Sequence, residues 1–345
     1  MTQADNNGHG EMVIPADAES ARLALEAALF EMRRVIVGQE VLLERVFVAL
    51  LTGGHLLIEG VPGLAKTLTV KTAAAVLGGS FSRVQFTPDL VPADLVGTRV
   101  FRPDTATFTT ELGPVFCNFL LTDEINRAPA KVQSALLEVM QERQVSIAKE
   151  TFRVPDPFLV MATQNPIESE GTYPLPEAQL DRFAMKVVVG YPGIEEEAAI
   201  VHRSLGEPAR LRTVLSPEDL RAFRHAVSSV YADRLLVDYA VDLSAATREP
   251  SHYGLADLAP YVAFGASPRG PINLVRASQA VAFLRGRDYM LAQDVRVVTK
   301  DVLRHRLVLS YEAMAEGVDA DAVLDEVLGT VPAPQLELSN ERAGA

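Results

Sequence analysis

The 345-residue chain has a single cysteine, fewer bases than acids and no long apolar run. Cys117 has no second thiol to pair with, so a disulfide-stapled scaffold is excluded and nothing marks an oxidising compartment. No stretch approaches ~18 uninterrupted apolar residues, which excludes a membrane-spanning helix. The opening MTQADNNGHGEM lacks the charged-then-apolar run of a signal peptide, so a soluble, cytoplasmic protein is expected. With 32 Lys and Arg against 45 Asp and Glu, the formal charge is −13. That balance argues against a free-standing binder of duplex DNA, which needs a basic face. The six histidines show no close pair at metal-ligand spacing.

What is present is ample core material, at 48% hydrophobic and 22% charged, enough for about two domains. The charge is uneven. From Glu312 onward the net charge is −7, leaving −6 for the preceding 311 residues. Two readings stand: a solvated terminal helix with a frayed tail, or a docking surface for a basic partner.

Residues 1–16 are polar and aperiodic and are expected to be disordered. Asp17–Arg34 and Val41–Leu51 carry helix-like apolar spacing. His55–Ile58, Phe81–Phe86, Phe119–Thr122, Phe158–Ala162 and Val187–Val189 read as strands, with Lys66–Leu77 as a helix after the first. This alternation over 17–192 predicts an α/β domain, a parallel sheet with helices on both faces. Two intervals interrupt it: a β-like patch at Thr98–Phe101 and Thr107–Thr110, and a hairpin across Lys149-Glu150. Residues 193–215 read as a linker. A helical domain is expected over 216–330, opened by Ser216-Pro217, with helices at Leu220–Val230, Ala232–Thr247, Ile272–Leu284 and Ala292–Val302. Residues 331–345 are expected to form an acidic tail. Val295, Val298 and Val302 read as core of the second domain, and Cys117 as a buried small hydrophobe.

The strongest local signal is Gly60-Val61-Pro62-Gly63-Leu64-Ala65-Lys66-Thr67, between a strand and a helix that continues with Leu68. In that context backbone N–H groups and the helix N-terminus cradle phosphates, Lys66 meets the outer phosphates and the Thr67 hydroxyl holds Mg²⁺. Ala65 stands where the strict pattern has a second glycine. If that position needs φ > 0, its Cβ costs on the order of 1 kcal/mol. The strand Phe119–Thr122 ends in Asp123 and Glu124, a carboxylate to hold Mg²⁺ and a second to polarise water. Asn165 ends a third strand, where its amide can meet the γ-phosphate. Arg182 closes a short helix and Arg269 opens another; in this ordered set both read as phosphate ligands.

GVPGLAKT, QFTPDLVPADLVGT, LLTDEINRAPAKVQSALLEVMQE, ATQNPIESEGTYPLPEAQLDRF and GASPRG, in this order, closely resemble the MoxR family of AAA+ ATPases over roughly 17–330. The resemblance implies an AAA+ core with a helix-2 insertion, a hairpin before the Asn strand and a helical lid. It implies ATP and Mg²⁺ as ligands, with Lys66 and Thr67 as the Walker A pair and Asp123 and Glu124 as the Walker B pair, Glu124 being the general base. Asn165 would be sensor 1. Arg269 would be the sensor 2 arginine, reaching its own subunit's nucleotide, and Arg182 the finger that enters the neighbour's site. Val37-Gly38-Gln39 would pack on adenine, and Gln85 would restrain the catalytic glutamate.

It further implies a homo-oligomeric ring, a hexamer, that remodels or activates client proteins beside a partner bearing a von Willebrand factor A domain. A ~300-residue core leaves no separate recognition domain, so specificity falls to the insertions, the ring surface or a second protein. A nucleic-acid motor is the alternative, disfavoured by the acidic balance. A non-hydrolysing scaffold is disfavoured by the intact Asp123, Glu124, Asn165, Arg182 and Arg269.

Overall fold

The computed structural model describes residues 18–61, 63–165, 171–207 and 209–335. Residues 1–16, Pro62 and the end of the acidic tail therefore lie outside the described residues. Two helices, α1 (Ala18–Arg33) and α2 (Glu40–Thr52), precede the first strand, β1 (Leu56–Glu59). Then come α3 (Lys66–Val76), β2 (Phe81–Gln85), α4 (Pro92–Val96), β3 (Gly97–Arg102), β4 (Thr107–Leu112) and β5 (Phe119–Asp123). After α5 (Ala130–Glu142), β6 (Gln144–Ile147) and β7 (Glu150–Arg153) form the second expected hairpin, before β8 (Leu159–Gln164). The domain ends with α6 (Glu177–Leu180) and β9 (Met185–Val188).

The central sheet is parallel, in the order β2-β5-β8-β1-β9. Its strands are apolar because both faces are covered. Leu56, Ile58, Leu121 and Met161 pack into one core with α1, α2 and α3. Leu57, Leu120, Val160 and Ala162 point to the other, with α5. This two-residue alternation fixes register, and register aligns the C-terminal ends of β1, β5 and β8 side by side. The chain leaves β1 and crosses two strands to reach β2, so those ends flank the topological switch point where α/β sheets bind ligands. β3 and β4 form a separate antiparallel hairpin, the first predicted insertion, with Phe101 and Phe108 rings 5.1 Å apart on its exposed surface.

Residues 193–215 depart from the expected linker. Ile194–Leu205 form a helix, α7, whose Glu196 carboxylate accepts from the Gly193 N–H at 3.0 Å. Three glutamates suit its positive N-terminal end, and Ile194, Ala198, Val201 and Leu205 give it helical apolar spacing, although none of its residues is buried. The lid then comprises α8 (Pro217–Ser228), α9 (Arg234–Arg248), β10 (Val262–Phe264), α10 (Arg269–Leu284), α11 (Ala292–Leu303), β11 (Val308–Leu309), α12 (Tyr311–Glu316) and α13 (Ala320–Thr330).

It is helical as expected apart from the β10–β11 pair, which joins segments more than forty residues apart and so leaves no local signature. Val295, Val298 and Val302 are fully buried lid core, and Cys117 is buried with its thiol pushed up to about 12 by desolvation. The acidic end is partly engaged. Val323, Leu324 and Val327 of α13 pack inward, while Asp321 pairs with Arg304 and Asp325 with Lys300. Among the described residues, no helix is long and apolar enough to cross a membrane.

Candidate functional site

The loop after β1 turns within a few residues and opens directly into α3, leaving the first N–H groups of that helix unpaired by it. Gly60 passes so close to β9 that a Cβ there would lie 2.7 Å from the Val189 carbonyl oxygen. Gly63 has φ 89° and Ala65 has φ 56°, so Ala65 does occupy the left-handed region that a glycine adopts freely. Lys66 folds back, its Nζ donating to the Gly60 carbonyl at 2.6 Å. Desolvation lowers the Lys66 pKa, and the charges of Asp123 and Glu124 oppose that shift.

A cavity of about 370 Å³ separates this loop from the ends of β5 and β8. Gly63 to Thr67 and Leu68 line one side; Asp123, Glu124, Thr163 and Asn165 line the other. Asp123 accepts from Thr163 Oγ1 at 3.2 Å and from Arg83 Nε at 2.7 Å. The Thr163 hydroxyl also accepts from the Glu124 backbone N–H at 3.0 Å, so one side chain of β8 holds both acidic residues of β5 in place. Glu124 sits at φ 57°, a conformation costing about 1–3 kcal/mol that turns its carboxylate out of the strand and toward Arg127 Nε, 2.9 Å away.

Arg83 and Gln85 were not both legible as site residues. They lie two apart on β2, hence on one face, and the β2–β5 register sets Gln85 opposite Asp123. Gln85 was anticipated only through the resemblance; Arg83 was missed. The alternation of FSRVQF, with polar side chains at 83 and 85, was the available signal.

A second cavity of about 700 Å³ adjoins the first and shares Gly63, Leu64, Ala65 and Leu68 with it. Its lining is largely apolar and includes Val35, Ile36, Val37 and Gln39 before α2, together with Leu211. Gly38 has φ 65°, and a Cβ there would lie 2.7 Å from the Glu196 carboxyl carbon of α7. A triphosphate beside a planar base matches this pair of cavities in shape and chemistry. Oxygen donors Thr67 and Asp123 on facing walls suit Mg²⁺, which takes few protein ligands and completes its shell with phosphate and water. Among the described residues there is no cluster of three or more His, Cys, Asp or Glu to hold a metal by protein groups alone.

The two arginines lie elsewhere. Arg269 lines neither cavity. Its acidic partner is Asp181, 3.7 Å away at the end of α6, so in this structure it stands apart from the cavity it was expected to reach. The reason is the joint between lid and core. Arg306, 1% exposed, donates Nε to Asp181 at 2.8 Å and draws the start of α10 to the same turn. Burial pushes the Arg306 pKa down to about 10, with Asp181 opposing the shift. Arg182 is in that turn, half-buried, and among the described residues its guanidinium makes no hydrogen bond or ion pair. The structure thus gathers Lys66, Thr67, Asp123, Glu124 and Asn165 at one place, and Arg182 and Arg269 at another.

Residues 55–185 match the family described as ATPase family associated with various cellular activities (AAA), and residues 256–327 match the AAA lid domain. Chaperone MoxR1 of Mycobacterium tuberculosis is 56% identical over 90% of this chain and 83% of its own. Protein MoxR of Paracoccus denitrificans is 35% identical over 90% of this chain and 95% of its own. A crystal structure of an ATPase from Cytophaga hutchinsonii superposes with a TM-score of 0.87 at 44% identity, covering 92% of this chain and 97% of that one. The fold, the loop between β1 and α3 and these relatives together place the chain in the MoxR family of AAA+ ATPases.

Proposed function

We propose that this ATPase works as a ring, a hexamer, in which each nucleotide is bound by one subunit and completed by the next. The observation that carries the reading is the separation just described: the cavity is lined by two cations, Lys66 and Arg83, two acids and two amides, while Arg182 is not in its lining and, among the described residues, its guanidinium makes no hydrogen bond or ion pair. In the cavity the loop N–H groups and Lys66 hold the phosphates, and Thr67 and Asp123 would hold Mg²⁺. When bound, Mg²⁺ neutralises charge on the phosphate oxygens.

Glu124 accepts a proton from water as that water attacks the γ-phosphorus in line, and the bond to the bridging oxygen breaks to give ADP and phosphate. Asn165 orients the water or the γ-phosphate from the end of β8. Arg182 of one subunit, with Arg269 beside it, meets the charge developing on the neighbour's phosphate. Such a finger is worth ~10³–10⁵ in rate. The work done is chaperone-like remodelling of a client protein, in the cytoplasm, beside a partner with a von Willebrand factor A domain. Recognition of the client falls to the two hairpin insertions, the ring surface or the partner protein.

Glu124→Gln tests the base assignment. ATP should still bind while hydrolysis falls by about 10²–10⁴, and a pull-down with this variant in ATP should retain a client. Turnover equal to wild type would remove Glu124 from the mechanism.

A further inference from the structure

The turn that carries Arg182 is bound to the lid as well as to its own domain, where Phe183 is core. Asp181, immediately before it, accepts from Arg306 Nε at 2.8 Å on one oxygen and from Ser267 Oγ at 2.9 Å on the other. Arg306 then follows the backbone of the turn, donating Nη2 to the Asp181 carbonyl at 3.3 Å and to the Phe183 carbonyl at 2.7 Å, and Nη1 to the Ala184 carbonyl at 3.3 Å. The same Nη1 donates back to the Val302 carbonyl of α11, and His305 Nε2 lies 3.1 Å from the Phe183 carbonyl. One buried guanidinium therefore ties the Asp181 carboxylate and the carbonyls of Asp181, Phe183 and Ala184 to the last turn of a lid helix.

We propose that Asp181 and Arg306 are positioning residues for Arg182: they fix its turn to the lid, so that Arg182 and Arg269 are presented to a neighbouring subunit as one rigid pair and move only when the lid moves. This rests on the reading of Arg182 as a residue that acts on the neighbour's nucleotide. The physical basis is the geometry of the fork. A planar guanidinium with five donors fixes direction as well as distance, which a single-point contact does not. Asp181, with both oxygens engaged by lid residues, cannot relax without releasing Ser267 and Arg306 together. Movement of the lid then becomes movement of Arg182, so a change of state at one subunit's lid reaches the next subunit's phosphates.

The test uses full-length protein in three variants, Asp181→Asn, Arg306→Lys and Arg182→Ala, each alone and mixed with Lys66→Ala subunits. Readouts are ATP turnover and the affinity for a fluorescent ATP analogue. A misplaced reacting group costs up to about 100-fold. Asp181→Asn and Arg306→Lys should lower kcat by about 10- to 100-fold with analogue affinity unchanged, and mixing should restore turnover, because the Lys66→Ala subunit supplies a correctly held Arg182.

Arg306→Lys keeps the charge but not the fork, so it carries the test if Asp181→Asn fails to fold. Full turnover in both variants, or a loss that mixing does not restore while Arg182→Ala is restored, would overturn the tether. If Arg182→Ala itself keeps wild-type turnover, the reading beneath the proposal fails instead.

Discussion

Asp123 and Asp181 are both carboxylates held by an arginine at the edge of the same sheet, and they are held in opposite ways. At Asp123 the partner is Arg83, 52% exposed, making a single 2.7 Å contact into an open cavity. At Asp181 the partner is Arg306, 1% exposed, with further bonds to backbone on both sides of the joint. An exposed guanidinium is solvated whether or not it is paired, so it surrenders its carboxylate at little cost. A buried one has nowhere else to go. The contact in the cleft is therefore easily given up, and on the proposed reading it yields to an incoming cation, whereas the joint is arranged for permanence.

The largest expected effect comes from breaking the permanent pair. Arg306→Ala should lower the unfolding free energy by about 3–5 kcal/mol, because Asp181 and the carbonyls of the turn lose their donors together. Urea denaturation measures this, and a loss under 1 kcal/mol would put the joint on the same footing as the cleft.

Acid should come next. His55 is held down to about 3, first by burial, and His305, wedged between Arg306 and the Phe183 carbonyl, is held well below its ordinary value for the same leading reason. For each ring the folded value lies below the unfolded one. The stabilisation is thus complete above pH ~6.5 and drains as pH falls, because the unfolded chain takes up protons that the folded chain refuses. Two such rings give a loss of about 2.5 kcal/mol between pH 7 and 5.5. His305→Gln should remove about half of that drop, the half that belongs to the joint. An unchanged slope would mean that the joint does not resist protonation.

At the cleft the effects are small. Arg83→Gln should change stability by no more than about 1 kcal/mol, while lowering the Mg²⁺ concentration needed for tight binding of a fluorescent ATP analogue. A raised requirement would show that Arg83 assists the metal rather than giving way to it. Ala65→Gly is the mildest change. It relieves the strain at φ 56° and adds freedom to the unfolded chain, for a net gain of about 0.5 kcal/mol in a urea titration.

The residues of the cleft were legible because their chemistry is local. Gly60 to Thr67 fit between one strand and one helix, Asp123 and Glu124 end a single apolar run, and even the φ of Ala65 follows from its place in the loop. Arg83 was not, since its contact exists only once β2 pairs with β5 in a given register. The joint was hidden for the same reason at greater range: Asp181 and Arg306 are 125 residues apart, and neither has a neighbour in sequence that announces the other. α7 was legible in the spacing of Ile194, Ala198, Val201 and Leu205, and reading 193–215 as a linker passed over it. Arg269 was legible as an arginine at a helix start, while its contact with Asp181 depends on where the joint carries that helix.

The central claim is that a nucleotide bound at Lys66 is completed by Arg182 from a neighbouring subunit. Mixing Arg182→Ala with Lys66→Ala protein tests it most directly. Each variant alone should hydrolyse ATP at a small fraction of the wild-type rate, and mixtures should recover turnover with a maximum near equal proportions. Mixtures that never exceed the sum of the two inactive variants, at any ratio, would contradict the account.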